Sequence, residues 1–420
     1  MLMALKRGFA RVLCIVGLAA TSSLAAAPAL AQKAPLKVGF SMALTGGLAG
    51  NGKAALMTIQ MWADEVNARG GLLGRKVDLV YYDDQSTPSS IPGLYTKLIE
   101  VDKVDIVVSP YGTNLIAPAM PVVMQSGKTM MSLFGVGVNY QFRYDRYFQI
   151  MPLGEKADEA IGAAFLDVAQ KLPAKPKTIA IVGADAEFGK VTTDAMRSLA
   201  KAAGLKVVYD RSYPPNTVEF ASVVRAIQAT SPDLVFLGAY PPDSVGMIRA
   251  ANEVGLKTQL FGGAMAGPQF ASIKTQLGPG INNVVGYELY VPSSTLKFPG
   301  IENFLTKYRD KAAAAGVDPL GFYVPPFVYA AMQIVGDAVE KTGGTDQKAM
   351  ADYMHKTTFS TIVGDVRFGP LGEWETPRVL LVQYRGIEGK DLDQFRKPEA
   401  QVILYPPQYA TGTPVAPFRN

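Results

Sequence analysis

Among 420 residues the chain has one Cys, one His and two Trp, and only 18% of its residues are charged. One Cys excludes a disulfide scaffold. With a single His beside it, a Cys-rich zinc site and any multi-His metal centre are excluded as well. The balance of 41 Lys and Arg against 36 Asp and Glu, +5 at pH 7, makes no case for a polyanionic partner. The basic residues are scattered, with no stripe interleaved with aromatics, so the electrostatic footprint of a nucleic-acid binder is missing. Gly (41) and Pro (29) stay below a low-complexity bias, and so little charge argues against disorder. What is present is apolar: 48% hydrophobic residues in a length worth two to three domains, ample for a sizeable core.

The first thirty-odd residues distort those totals. Lys6, Arg7 and Arg11 precede the apolar run 12–20, and small residues follow up to Ala29-Leu30-Ala31. A basic start, a short apolar stretch and an A-x-A site form the pattern of a secretory signal peptide, here residues 1–31, cleaved after Ala31. As a membrane anchor the run is too short, broken by Thr21-Ser22-Ser23. A lipid anchor on Cys14 would want small residues before it, where Arg11-Val12-Leu13 stand. Removing 31 residues and their three bases from 420 leaves 389, with 38 bases against 36 acids, a net charge of +2 and no Cys. Such a chain needs no oxidative folding and must be held by its core. No later segment is long and apolar enough for a membrane span, so a soluble mature chain in the periplasm is expected.

The remainder alternates short β runs with amphipathic helices. Strands are expected at Leu36–Leu44, Val77–Tyr82, Val104–Ser109, Thr178–Gly183, Leu205–Tyr209 and Leu234–Gly238. Helices are expected over Ala55–Ala68, which stops at Gly70-Gly71, and Thr192–Ala203, which stops at Gly204. Strict alternation means βαβ units and parallel sheets covered on both faces. A weak internal repeat relates Gly52-Lys53 and Gly74–Tyr81 to Gly189-Lys190 and Gly204–Tyr209. Two similar halves suggest two similar lobes, with crossings between them at Phe148–Pro152, Tyr287–Pro292 and Gly364–Gly372. In the tail, Lys397-Pro398 and Tyr405-Pro406-Pro407 suggest an ordered strap over the second lobe.

Three motifs resemble catalytic ones and fail on inspection. Gly47-Leu48-Ala49-Gly50-Asn51-Gly52-Lys53-Ala54 matches G-x-x-x-x-G-K between a strand and a helix, but Ala54 replaces the hydroxyl that holds Mg²⁺, and a secreted protein meets little ATP. A tight turn bringing backbone N–H groups to a crevice is the better reading. His355 is the single histidine, no G-x-S-x-G elbow accompanies it, and a surface or capping role on a helix is expected. Asp83-Asp84 and Asp185/Glu187 lie at strand ends, yet adjacent residues on an extended segment face opposite ways and make a poor acid–base pair. Loop or capping carboxylates fit them better. No catalytic residue, metal or cofactor is expected.

Open α/β sheets bind ligands beyond the carboxyl ends of their strands. Those ends read Leu44-Thr45-Gly46, Pro110-Tyr111-Gly112-Thr113-Asn114, Phe134-Gly135-Val136, Ala186-Glu187-Phe188-Gly189, Ala239-Tyr240-Pro241 and Ala264-Met265. Gly112 lets the backbone approach, Thr113 offers a hydroxyl, and a helix N-terminus there favours an anion. Phe134, Phe188 and Tyr240 can wall an apolar body.

The sequence resembles the solute-binding proteins of branched-chain amino-acid ABC transporters, the Leu/Ile/Val-binding family, from about Leu36 to Tyr384. The resemblance rests on Leu44-Thr45-Gly46 with Gly52, Asn67–Arg75, Tyr82-Asp83-Asp84, Ile181-Val182-Gly183 leading to Phe188-Gly189, Gly238-Ala239-Tyr240 and Ala251–Leu256. It implies an α/β fold of periplasmic binding protein type I: two Rossmann-like lobes with parallel sheets, joined by three hinge crossings and closing on a ligand. The first lobe would take residues 36–150 and 292–363, the second 151–291 and 364–420. It implies ligand binding by Tyr111, Gly112, Thr113, Phe134, Gly135, Val136, Phe188, Tyr240, Ala264 and Met265. Within that set Val136 replaces the usual hydroxyl, Phe188 stands where Tyr is common, and the acid that pairs with a substrate ammonium falls at Ala264. The expected ligand therefore carries a carboxylate or amide and an apolar or aromatic body: an amino acid or an aromatic or aliphatic acid, with the lost acid at Ala264 favouring one without an α-amino group. The implied partners are that small molecule and a permease in the inner membrane, with the binding protein a monomer. A sensor module of the same fold that signals to a receptor is the alternative; a secreted hydrolase lacks a nucleophile–base pair.

Overall fold

A computed structural model describes residues 33–419; the expected signal peptide over 1–31 lies outside the described residues. The chain begins with β1 (Leu36–Met42), α1 (Ala49–Ala68), β2 (Val77–Asp83), α2 (Ile91–Thr96), β3 (Ile106–Tyr111), α3 (Thr113–Gln125), β4 (Met130–Leu133), α4 (Asn139–Phe142) and β5 (Tyr147–Gln149). Their strands form a five-stranded sheet in the order β2-β1-β3-β4-β5, parallel throughout. There follow α5 (Ala157–Ala169), β6 (Thr178–Ala184), α6 (Glu187–Ala202), β7 (Lys206–Tyr213), α7 (Ala221–Ala229), β8 (Leu234–Ala239), α8 (Pro241–Val254), β9 (Leu260–Met265), α9 (Ala271–Leu277) and β10 (Val284–Glu288). The chain then returns to the first sheet's side with α10 (Ile301–Ala315), α11 (Val324–Thr342), α12 (Gln347–Lys356) and the hairpin β11 (Thr358–Thr361)–β12 (Gly364–Arg367). Finally β13 (Leu380–Tyr384) and β14 (Gln401–Tyr405) join the second sheet, seven-stranded in the order β14-β13-β10-β9-β8-β6-β7. This sheet is parallel except for β13, which runs antiparallel to both of its neighbours, β10 and β14.

The parallel strands are buried on both faces, which is why β1, β3, β6 and β8 read as continuous apolar runs rather than alternating ones. The internal repeat has a steric cause. A Cβ on Gly52 would lie 1.9 Å from the Ala43 carbonyl oxygen, and one on Gly189 would lie 2.2 Å from that of Ala184. In both halves the first turns of a helix press against the end of the preceding strand, and only glycine fits. The G-x-x-x-x-G-K segment is therefore a turn through Gly47 and Leu48 followed by the opening of α1, which starts six residues earlier than the pattern of apolar residues suggests. The Asn67–Arg75 stretch is equally structural. Asn67 brackets the backbone of Val77 through both its amide atoms, at 2.7 and 2.9 Å, and Arg75 reaches Asp105 at 3.2 Å.

Helix α11 returns to pack on α1, with Trp62 so near Gly336 that a Cβ there would meet the indole at 3.3 Å. His355, on α12, bonds the Asp145 carbonyl at 2.8 Å and lies against the Phe148 ring, a packing role. The tail is an ordered strap: after β14 it carries Phe418 back onto Phe261, ring centroids 4.7 Å apart.

Candidate functional site

The carboxyl ends of both sheets face one narrow cleft, open on one side, with about 20 Å³ of free space. Its floor on the first-sheet side comes from the β3–α3 junction. Gly112, at φ 93°, turns the chain between them, and no side chain caps α3, so the helix's first N–H groups are left for a ligand. The Thr113 hydroxyl accepts the Val136 N–H at 3.0 Å, which leaves its own proton to donate. Phe134 sits in a left-handed backbone (φ 65°), held by the buried Gln149 side chain. Oε1 of Gln149 accepts N–H groups from Phe134 (3.1 Å) and Met151 (3.0 Å), while its Nε2 donates to Ser132 (3.1 Å) and Tyr147 (2.9 Å). One amide thus shapes both the Phe134 turn and the first crossing out of the sheet.

The second-sheet side supplies rings. Phe188 opens α6 and Tyr240 precedes α8, their centroids 5.8 Å apart in an edge-on arrangement. The Tyr240 hydroxyl accepts the Phe188 N–H at 3.1 Å, joining two helix starts. Tyr240 is itself fixed by a capping box with Asp243, whose carboxylate also accepts the Tyr213 hydroxyl at 3.1 Å. Between the two sides run the rings of Tyr111, Phe134, Tyr323 and Tyr287, with Tyr287 and Tyr323 hydroxyls 2.7 Å apart. Burial raises the pKa of Tyr111, Tyr240, Tyr287 and Tyr323, so all four remain neutral donors.

Of the residues expected from sequence, Tyr111, Gly112, Thr113, Phe134, Val136, Phe188 and Tyr240 line the cavity. Gly135, Ala264 and Met265 do not. Gly135 backs onto Gln149, where a Cβ would sit 2.7 Å from Nε2, and Ala264 and Met265 are fully buried in β9, with Ala266 taking the lining position. Leu48, Asn114, Met151, Tyr287 and Tyr323 also line it without having been singled out as ligand contacts. Met151 and Tyr287 belong to segments marked only as crossings. Tyr323 precedes Val324-Pro325-Pro326, and a helix-opening Pro pair after an aromatic is the signal that could have found it.

Among the described residues, no Asp, Glu, Lys, Arg or His lines the cavity. Charge lies behind it: Lys274 and Glu288, both fully buried, pair at 3.3 Å, with Tyr384 donating to Glu288 at 3.1 Å. The Asp83-Asp84 pair is a loop organiser. Asp83 accepts from Leu44, Thr45 and Gln85, and Asp84 from Ser41 and Ser86. A mouth of about 330 Å³ shares Leu48, Asn114 and Tyr240 with the cavity. A roomier groove, about 520 Å³, lies between α1, α11 and β11 and contains none of the expected residues.

Residues 35–383 match the model of the periplasmic binding protein family. The Leu/Ile/Val-binding protein BraC3 of Rhizobium johnstonii is 25% identical over 359 residues, covering 84% of this chain and 92% of that protein. Leu/Ile/Val-binding protein homolog 7 of Brucella abortus is 26% identical over 333 residues, 77% of this chain and 81% of its own. Among solved structures, the branched-chain amino acid substrate-binding protein LivJ from Streptococcus pneumoniae, in complex with isoleucine, superposes with a TM-score of 0.72 at 19% identity, covering 84% of this chain and 98% of LivJ. A solute-binding protein from R. palustris, in complex with benzoate, gives 0.71 at 20% identity, covering 91% and 97%.

Proposed function

We propose, for a chain that belongs to the periplasmic binding protein family, that the cavity captures a small monocarboxylate or amide with an apolar or aromatic body and hands it to an ABC-transporter permease in the inner membrane. Proteins of this family bind solutes and are not enzymes, and the chain is of the Leu/Ile/Val-binding type. The observation that carries the reading is the lining: an uncapped helix start, a threonine hydroxyl and neutral phenols on an aromatic enclosure, without one acidic side chain. Helix N-termini and hydroxyls suit a carboxylate. An ammonium buried there without a carboxylate partner costs several kcal/mol, which disfavours α-amino acids. The ligands of the two solved structures span both possibilities, isoleucine in one and benzoate in the other.

Closure brings Tyr111, Thr113 and Phe134 against Phe188 and Tyr240, and at micromolar affinity binding is worth about 8 kcal/mol. We take the lobes as residues 36–150 with 292–372 and 151–291 with 373–420, which moves the expected break after residue 363 by one hairpin. The third crossing runs past Gly372, because β12 pairs with β11 and the Gly372 carbonyl accepts the Gln149 N–H at 2.8 Å. Export through the signal peptide 1–31, residence in the periplasm and a monomeric state complete the proposal. A thermal-shift panel tests it: aromatic and aliphatic acids should raise the melting temperature and leucine or valine should not. Strong stabilisation by leucine or valine, with no effect of any acid, refutes it.

A further inference from the structure

Outside the cleft, the segment leading into β13 carries buried donors that nothing in the protein uses. Arg378 is only 9% exposed and Trp374 3%. The Arg378 guanidinium lies between the rings of Phe298 and Trp374, 4.5 and 4.9 Å from their centroids. Its Nε and Nη2, with the Trp374 Nε1, make no hydrogen bond among the described residues. These are donors without acceptors, and two form the bidentate edge of one guanidinium, the geometry that matches a carboxylate or phosphate.

Both side chains line an open groove of about 310 Å³, walled by β11–β12 residues such as Thr358 and by Gln408 and Tyr409 after β14. Two carboxylates share the groove. Glu375 pairs with Arg367 at 2.9 Å, while Asp365 accepts the Ser360 hydroxyl at 2.9 Å, makes no ion pair with Arg378 and acts on it only through its field. Glu373 is fully buried, and desolvation holds its pKa well above the usual carboxylate range, so it stays neutral and offers no counter-charge. Burial also lowers Arg378 to about 10, which leaves it cationic at neutral pH. Gly364 permits the arrangement: it lies at φ 84°, and a Cβ there would come within 3.1 Å of Nη1.

We propose that Arg378 and Trp374 form a second binding site, for a small oxyanion of the carboxylate or phosphate class, in the groove beside the third crossing. The aromatic sandwich fixes the guanidinium plane, so the anion meets a prepared fork rather than a mobile side chain.

Trp374 reports on the site, since Trp62 is the only other tryptophan. The full chain is titrated with sodium acetate, benzoate, phosphate and sulfate at constant ionic strength, with tryptophan emission and calorimetry read in parallel. At least one anion should give a saturable emission change, and planar against tetrahedral anions identify the source. Arg378→Lys should weaken it at least tenfold, Trp374→Phe should lose the emission change while the heat remains, and Thr113→Val in the main cleft should leave it intact. Absence of saturation with every anion overturns the proposal. So does affinity unchanged in Arg378→Lys, an emission change that survives in Trp374→Phe, or loss of binding in Thr113→Val. The wild-type and Trp374→Phe titrations decide the matter even if Arg378→Lys does not fold.

Discussion

The two walls of the cavity do different work. The first-sheet wall is polar where it meets the ligand: an uncapped helix start, the Thr113 hydroxyl and a turn fixed by Gln149. The second-sheet wall offers Phe188 and Tyr240, whose one internal bond ties two helix starts together. Orientation is thus written on one side and enclosure on the other. The chain is able to bury charge, as Lys274 and Glu288 show, but it does so behind the cavity and with partners in place. The neutral lining is a choice of chemistry, set by which residues stand at the strand ends.

The comparison can be broken at several strengths. Gln149→Leu should have the largest effect, because it orphans the N–H groups of Phe134 and Met151. At about 1–3 kcal/mol for each buried unsatisfied group, the loss should reach about 4 kcal/mol in chemical denaturation. Thr113→Val should weaken ligand binding about 30-fold by calorimetry while the fold persists, from one lost hydrogen bond to a charged group and one orphaned N–H. Tyr240→Ala on the opposite wall should cost about tenfold, mostly through a faster off-rate, since it removes enclosure and not the anion site. Equal affinity in both variants would mean that the ligand sits elsewhere.

A separate effect, on stability and not on binding, is one of pH. Burial, opposed by hydrogen bonds from Ser86 and Ser41, pushes Asp84 up to about 6. A raised folded pKa means that the native state holds its proton more tightly than the unfolded chain. This contribution to stability is therefore full below about pH 4 and is lost as pH rises towards 6. Asp84→Asn should flatten that part of the stability profile, by up to about 3 kcal/mol at two pKa units. An unchanged profile would show that Asp84 ionises freely.

Much of this was legible in the sequence, for identifiable reasons. Short apolar runs bounded by turn residues, set between period-3.6 segments, marked the alternation of strands and helices, and the Gly52 and Gly189 pair marked the two halves because both press on a strand-end carbonyl. Tyr111, Thr113, Phe188 and Tyr240 were readable because each sits directly between a strand and a helix. Tyr287 and Tyr323 were not, since their sequence neighbours describe a crossing and a helix start, and only tertiary packing puts their hydroxyls in contact. Gln149 was hidden for the same reason: its bonds to Ser132, Phe134, Tyr147 and Met151 join a strand end, a turn and a crossing. Ala264 and Met265 show the limit of reading strand ends by number, because β9 runs to Met265 and the cavity begins one residue later.

The central claim is that the site takes a carboxylate and refuses the ammonium beside it. Calorimetry with leucine and with 4-methylpentanoate, the same body without its amino group, tests this in one matched pair. The account predicts that 4-methylpentanoate binds and that leucine is at least tenfold weaker; leucine binding the tighter of the two would contradict it.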